Sequence, residues 1–212
     1  MARRTLLLDV DATLLIDTVD PVLEYASYKG SGDYSGTPVP AGARELEITD
    51  PHGRDRSVIV LESALDALRT QAAAGVDIVW HSNWLAAPAQ LESLSQNISL
   101  DSVVRFPLEM ELAAPVEFPD PYRPRPPFWD DWRVRTIIAR AATLASGDDL
   151  VVASVDIDLS VSSVAEGIRR RSGNPSPLLG SIPTTRMSGL DAAALATWTP
   201  TREHVGTWHR RS

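Results

Sequence analysis

Apolar positions along the chain follow two patterns that alternate. Residues 5–10 (TLLLDV) form a continuous apolar run ending in acids, as expected of a strand buried on both faces of a parallel sheet. Residues 76–80 (VDIVW), 102–106 and 150–155 (LVVASV) read as further strands of the same kind. Between them the spacing turns helical. Leu61, Leu65, Leu68 and Ala72 share one face, with Gly75 placed to end that helix. Pro88 suits a first helical turn carrying Leu91 and Leu94. Over residues 129–146, Val134, Ile137, Ile138, Ala141 and Ala145 lie on one face, and Gly147 follows. Helices are also predicted around 161–171 and over 189–198, the last capped by Ser188.

Elsewhere the pattern breaks. Residues 43–49 and 56–61 alternate on either side of Asp50-Pro51-His52-Gly53, which predicts a β-hairpin. Together with a glycine- and proline-rich run from about residue 17, it forms a flap inserted over residues 17–61. Residues 107–128 are proline-rich and predict an extended loop, and residues 199–212 a flexible tail. Strands alternating with helices predict one three-layer α/β domain, Rossmann-like, with a parallel sheet and ligands at the carboxyl ends of its strands. The insertion is too short for a large cap domain.

Composition narrows the setting. The 212 residues are 43% hydrophobic, enough for a sizeable core, and the net charge of −8 gives no general attraction to nucleic acid or anionic lipid. With no cysteine, disulfides and thiolate metal sites are excluded. The opening MARRTLLLDVDATLL has the outline of an export signal, but Asp9 and Asp11 interrupt its apolar stretch, so a cytoplasmic protein is expected. Lys29 is the only lysine.

Three predicted strands end in polar residues: Asp9-Val10-Asp11, His81-Ser82-Asn83 and Asp156-Ile157-Asp158. Acids leaving a buried strand are costly unless their charge is compensated. One such pair reads as a solvated strand end or a helix cap. Two pairs, each after an apolar strand, point to a shared site for a hard cation such as magnesium, with Asp9, Asp11, Asp156 and Asp158 as its acids.

Asp9-Val10-Asp11-Ala12-Thr13 resembles the DxDxT motif of the haloacid dehalogenase (HAD)-like superfamily. Ser82 is similar to the family's second motif and Asp156/Asp158 to its fourth, in the family's order. Trp80–Trp84, Trp132-Arg133 and Gly189-Leu190 resemble features of small HAD-like proteins from actinobacteria and their phages. The likeness spans roughly residues 5–198. It implies a magnesium-dependent phosphatase in which Asp9 is the nucleophile and Asp11 the general acid and base. Magnesium would be held by the Asp9 carboxylate, the Asp11 carbonyl and Asp156, with Asp158 direct or through water. Ser82 would bind phosphate beside Asn83, and Thr13 would shape the loop. The family's third motif is a lysine, absent here; Arg133 is the first candidate to replace it and Arg135 the second. Arginine keeps the charge but is bulkier and planar.

Weaker signals have plainer readings. His81 fits a packed neighbour of Ser82, the tryptophans around the second and third motifs fit the core and rim of the cleft, and Arg169-Arg170-Arg171 fits a solvated helix face. The basic stretch at residues 122–125 could equally meet an anionic substrate or be linker. His52 falls in the hairpin turn, and His204 and His209 in the tail. The expected partner is a phosphorylated small molecule or a phosphorylated macromolecule end. A catalytically silent module that binds a phosphorylated ligand or a protein is the rival from another class. Nucleic-acid end processing is a third, counted against by the acidic charge.

Overall fold

The structure is a computed structural model, described for residues 3–17, 42–116, 126–185 and 189–198. Most of the irregular run after residue 17, the basic stretch at 122–125, Ser188, Lys29 and the tail lie outside these residues. Elements are numbered in chain order over the described residues.

Five parallel strands form the central sheet in the order β6-β5-β1-β7-β8. They are β1 (Arg4–Leu8), β5 (Asp77–Trp80), β6 (Val104–Arg105), β7 (Asp149–Ala153) and β8 (Leu178–Ser181). Alternation along β1 divides its neighbours between two cores. Leu6 and Leu8 join Ile78, Trp80, Val151 and Ala153 on one face, under α1 (Glu62–Ala73), α2 (Pro88–Asn97) and α5 (Ala192–Thr197). Leu7 joins Val79, Leu150 and Val152 on the other, under α3 (Trp132–Thr143) and α4 (Ser162–Ser172). Leu6, Leu7 and Leu8 are all fully buried, each worth about 2 kcal/mol of apolar transfer. Helices on both faces make three layers, the Rossmann-like layout expected.

β1 is central, paired with β5 on one side and β7 on the other. Its ladder continues past the last strand residue: His81 N donates to Leu8 O at 2.8 Å, and Asp9 N donates to Ala153 O at 2.9 Å. Asp9 is thereby fixed between the ends of β5 and β7.

The hairpin is present as β3 (Ala43–Thr49) and β4 (Asp55–Leu61), seven residues each. Fully buried Asp50 closes its turn, accepting from the backbone of His52 and Arg54 and from the Arg54 guanidinium. A third strand, β2 (Ile16–Asp17), pairs with β4, which brings the flap directly behind the Asp9–Thr13 loop.

Several expectations need correction. The 189–198 helix begins only at Ala192, and its cap is Asp191, whose side chain accepts from Ala194 N at 2.9 Å. Gly189–Leu190 is instead β10, paired antiparallel with β9 (Thr184–Thr185). The 129–146 helix is a single 3-10 turn (Phe128–Asp130) followed by α3, with Asp131 as the cap between them. Strand β8 falls in a stretch that reads as proline- and glycine-rich loop. Arg170 and Arg171 are exposed, as a solvated helix face requires, and the Arg171 guanidinium carbon also lies 3.7 Å from the centre of the Trp129 ring. Gly167 makes room for that ring, since a Cβ there would meet Trp129 at 2.5 Å.

Candidate functional site

The candidate residues meet at the carboxyl end of the central sheet. Asp9 is 7% exposed, and its carboxylate is held on several sides. Its Oδ1 accepts from Val10 N at 2.8 Å and its Oδ2 from Ser154 Oγ at 2.8 Å. Ser82, itself buried after β5, also favours the ionised form of this carboxylate. Arg133 Nη1 stands 3.5 Å from Asp9 Oδ2.

Burial dominates this carboxylate. It raises the Asp9 pKa to about 6, although Arg133, Ser154, Ser82 and the Val10 amide all favour the ionised form.

The loop after Asp9 turns sharply. Ala12 has φ 55°, a left-handed conformation that L side chains seldom adopt, and its amide donates to Leu15 O at 2.9 Å. Asp11 emerges from this turn with its side chain 51% exposed. Trp84 Nε1 donates to Asp11 Oδ2 at 2.9 Å, and Arg56 Nη1 of strand β4 lies 3.5 Å from Asp11 Oδ1. Thr13 is buried and shapes the loop through its carbonyl, which accepts from Leu190 N at 2.8 Å. A Cβ on Gly189, at φ +62°, would stand 2.8 Å from that same oxygen.

Of the two arginines, Arg133 stands beside Asp9. Arg135 is exposed on α3 away from Asp9, whereas Arg133 is 8% exposed and spans three carboxylates. Its Nη2 donates to Asp131 Oδ2 at 3.0 Å, its Nε to Asp131 Oδ1 at 3.2 Å, and its Nη1 to Asp156 Oδ2 at 3.2 Å. Burial works against its charge, but Asp131, Asp9 and Asp156 more than offset that and hold the guanidinium cationic. Asp131, capping α3 through Arg133 N at 2.8 Å, is itself held below the usual carboxylate range: burial opposes the ionised form, and the bonds from Arg133 outweigh it.

His81 fixes Arg133 from behind. It is 2% exposed and pairs through Nε2 with Arg133 O at 3.2 Å. A carbonyl only accepts, so Nε2 carries the proton. Burial, then the charges of Arg133 and Arg140, depress the His81 pKa to about 3, so the ring is neutral. Asn83 does parallel work, accepting from Trp132 Nε1 at 3.0 Å. It ties the β5 loop to the start of α3.

The second acid pair divides. Asp156 faces Arg133, its amide bonded to Ser154 Oγ at 3.2 Å. Ile157 is buried beneath it. Asp158 is exposed and accepts from Ser160 N at 2.8 Å, an internal turn of its own loop. Among the described residues no three acidic or histidine side chains converge as a metal cluster. Asp9 and Asp156 do converge, on one nitrogen of Arg133. Two carboxylates of this kind fit a magnesium ion that keeps part of its water shell. The buried, raised carboxylate of Asp9 is one a cation would stabilise.

Three residues of this arrangement lie outside the candidates read from the sequence. Ser154 reads as an ordinary strand residue, Asp131 as one acid in an irregular run, and Arg56 as a solvent-facing hairpin residue. Only Asp131 could have been found, as an acid at a helix start before Trp132.

Comparison with known protein families, with curated proteins and with solved structures finds no match. No helix among the described residues is long and apolar enough to cross a membrane.

Proposed function

We propose that the protein is a phosphohydrolase of the HAD-like kind, acting on a phosphomonoester through Asp9. One observation carries this reading: a buried aspartate follows the central strand with a serine hydroxyl bonded to its carboxylate and a fixed guanidinium beside it.

In the first step an Asp9 oxygen attacks phosphorus, and the bond from phosphorus to the alcohol oxygen breaks. Asp11 delivers a proton to that leaving oxygen. Water then attacks the aspartyl phosphate, giving its proton to Asp11 and releasing inorganic phosphate and free Asp9. Ser82 donates to a phosphate oxygen. Arg133 supplies the positive charge that lysine supplies in related sequences, with two donors in a plane. Trp84 and Arg56 orient Asp11, and Ser154 and Val10 N orient Asp9. Asp9 and Asp156 would hold magnesium, which when bound offsets repulsion between phosphate and carboxylate.

Phosphate release from an aryl phosphate, with and without magnesium and beside an Asp9→Asn control, tests the reading. Turnover that needs magnesium and is lost in the control is the expected result. Release that is equal in wild type and control would sink it. Binding of phosphorylated ligands without turnover would then favour the silent module.

A further inference from the structure

We propose that Arg133 competes with a divalent cation for this site: its Nη1 and the metal claim the same two carboxylate oxygens, so the metal binds only as Nη1 withdraws. The inference rests on the assignment of Asp9 and Asp156 to magnesium above, and not on turnover.

Arg133 Nη1 lies 3.5 Å from Asp9 Oδ2 and 3.2 Å from Asp156 Oδ2. One donor nitrogen is thus shared by two carboxylates, which follow β1 and β7. Magnesium takes carboxylate oxygens at about 2.1 Å. A cation reaching both of these oxygens meets a guanidinium already beside them. Arg133 and Asp9 are both buried, so repulsion between the two cations is poorly screened.

The two carboxylates do not depend on Arg133 for their placement. Asp9 accepts from Val10 N and from Ser154 Oγ, and the same Ser154 Oγ accepts from Asp156 N at 3.2 Å. A single hydroxyl holds the two acids side by side, and they stay together when Nη1 leaves.

Arg133 in turn keeps a partner. Its Nε and Nη2 are bonded to Asp131 at 3.2 and 3.0 Å, so a tilt that withdraws Nη1 leaves this pairing in place. Counting these four side chains alone, the exchange sorts the charges into two neutral groups: Arg133 with Asp131, and a divalent cation with Asp9 and Asp156. Pairing of this kind is what makes a buried charge tolerable. A lysine ammonium is a single point charge, with no planar second edge by which to hold Asp131 while releasing the pair.

The test is metal binding by the full chain, followed by magnesium calorimetry and by the manganese EPR signal. Arg133→Met should bind both metals about tenfold or more tightly than wild type, the scale on which groups around a metal's ligands change its affinity. Arg133→Gln, which keeps a polar group for Asp131, should show the same gain and serves if Arg133→Met does not fold. Asp9→Asn should lose most of the binding. In the wild type, the NMR signal of the Arg133 Nε–H should shift as magnesium saturates the site, and should not shift in Asp9→Asn. Binding in the uncharged variants that equals or falls below wild type overturns the inference. So does tighter binding in Arg133→Met beside an unmoved wild-type signal, which marks repulsion from a fixed guanidinium rather than exchange. No metal binding by any of these chains overturns the magnesium assignment itself, and this inference with it. Arg133-sensitive binding with the signal shift, but no phosphate release from an aryl phosphate, would leave the exchange standing and count against the phosphatase alone.

Discussion

Asp9 is the residue at which the proposed catalysis and stability pull in opposite directions. Its folded pKa of about 6 lies above the ordinary 3.8, so the folded protein binds this proton more tightly than the unfolded chain does. The associated stability is fully present below 3.8 and lost as pH rises through about 6. A shift of that size corresponds to about 3 kcal/mol at most, so an ionised Asp9 is costly to the fold. Asp9→Asn should therefore abolish turnover yet unfold at higher denaturant near pH 8, with the advantage vanishing near pH 4. His81 has the opposite sign. Its pKa is depressed from 6.5 to about 3, so its contribution is present above 6.5 and lost as pH falls toward 3. The two effects oppose one another across the intervening range, and removing Asp9 should leave a steeper loss of stability in acid. Chemical denaturation of both proteins from pH 4 to 8 checks this.

Among the elements, the short β10 strand has an effect out of proportion to its two residues. Leu190 N bonds Thr13 O, and Gly189 passes against the same carbonyl at a positive φ. Gly189→Ala brings both backbone strain and a contact with a main-chain atom that cannot swing aside. The expected result is a loss of about 2 kcal/mol in stability and a fall in kcat larger than any rise in KM, since the loop that moves carries Asp11. Normal kinetics in a folded variant would show that β10 does not support the loop. The same strand marks where sequence reading stops. Strands β1, β5 and β7 were legible because burial on both faces forces continuous apolar runs, and α3 because its apolar face repeats over several turns. β2, β9 and β10 have two residues each, too few for any period. β8 is LLGS beside prolines, where a glycine hides the strand. The site was legible at Asp9, Ser82 and Arg133, which sit at or near element ends. Arg56 and Ser154 were not, because only tertiary pairing brings β4 to Asp11 and the end of β7 to Asp9.

At the scale of the molecule, the sheet divides its charges between its two ends. Arg3 and Asp77 meet at the starts of β1 and β5, Arg105 joins Asp77 to Glu111, and Glu111 reaches Arg140 on α3 at 3.2 Å. This chain ties the β6 edge to the last turn of the helix whose first turn carries Arg133. Bonds from Arg105 hold the Glu111 pKa down at about 2, so its contribution is present above 4.5 and lost as pH falls toward 2. Glu111→Gln should cost about 2 kcal/mol at neutral pH and flatten that acid limb, as followed by thermal unfolding across pH. An unchanged limb would show that the network does not stabilise α3. The helix so anchored presents arginine, not lysine, to the reacting groups, and that choice reaches into the chemistry of damage and control. Acetylation acts on lysine amines and does not neutralise a guanidinium. The charge opposite Asp9 is thus beyond the reach of acetyl donors, and its burial among three carboxylates shields it from dicarbonyl reagents that condense with exposed guanidinium groups.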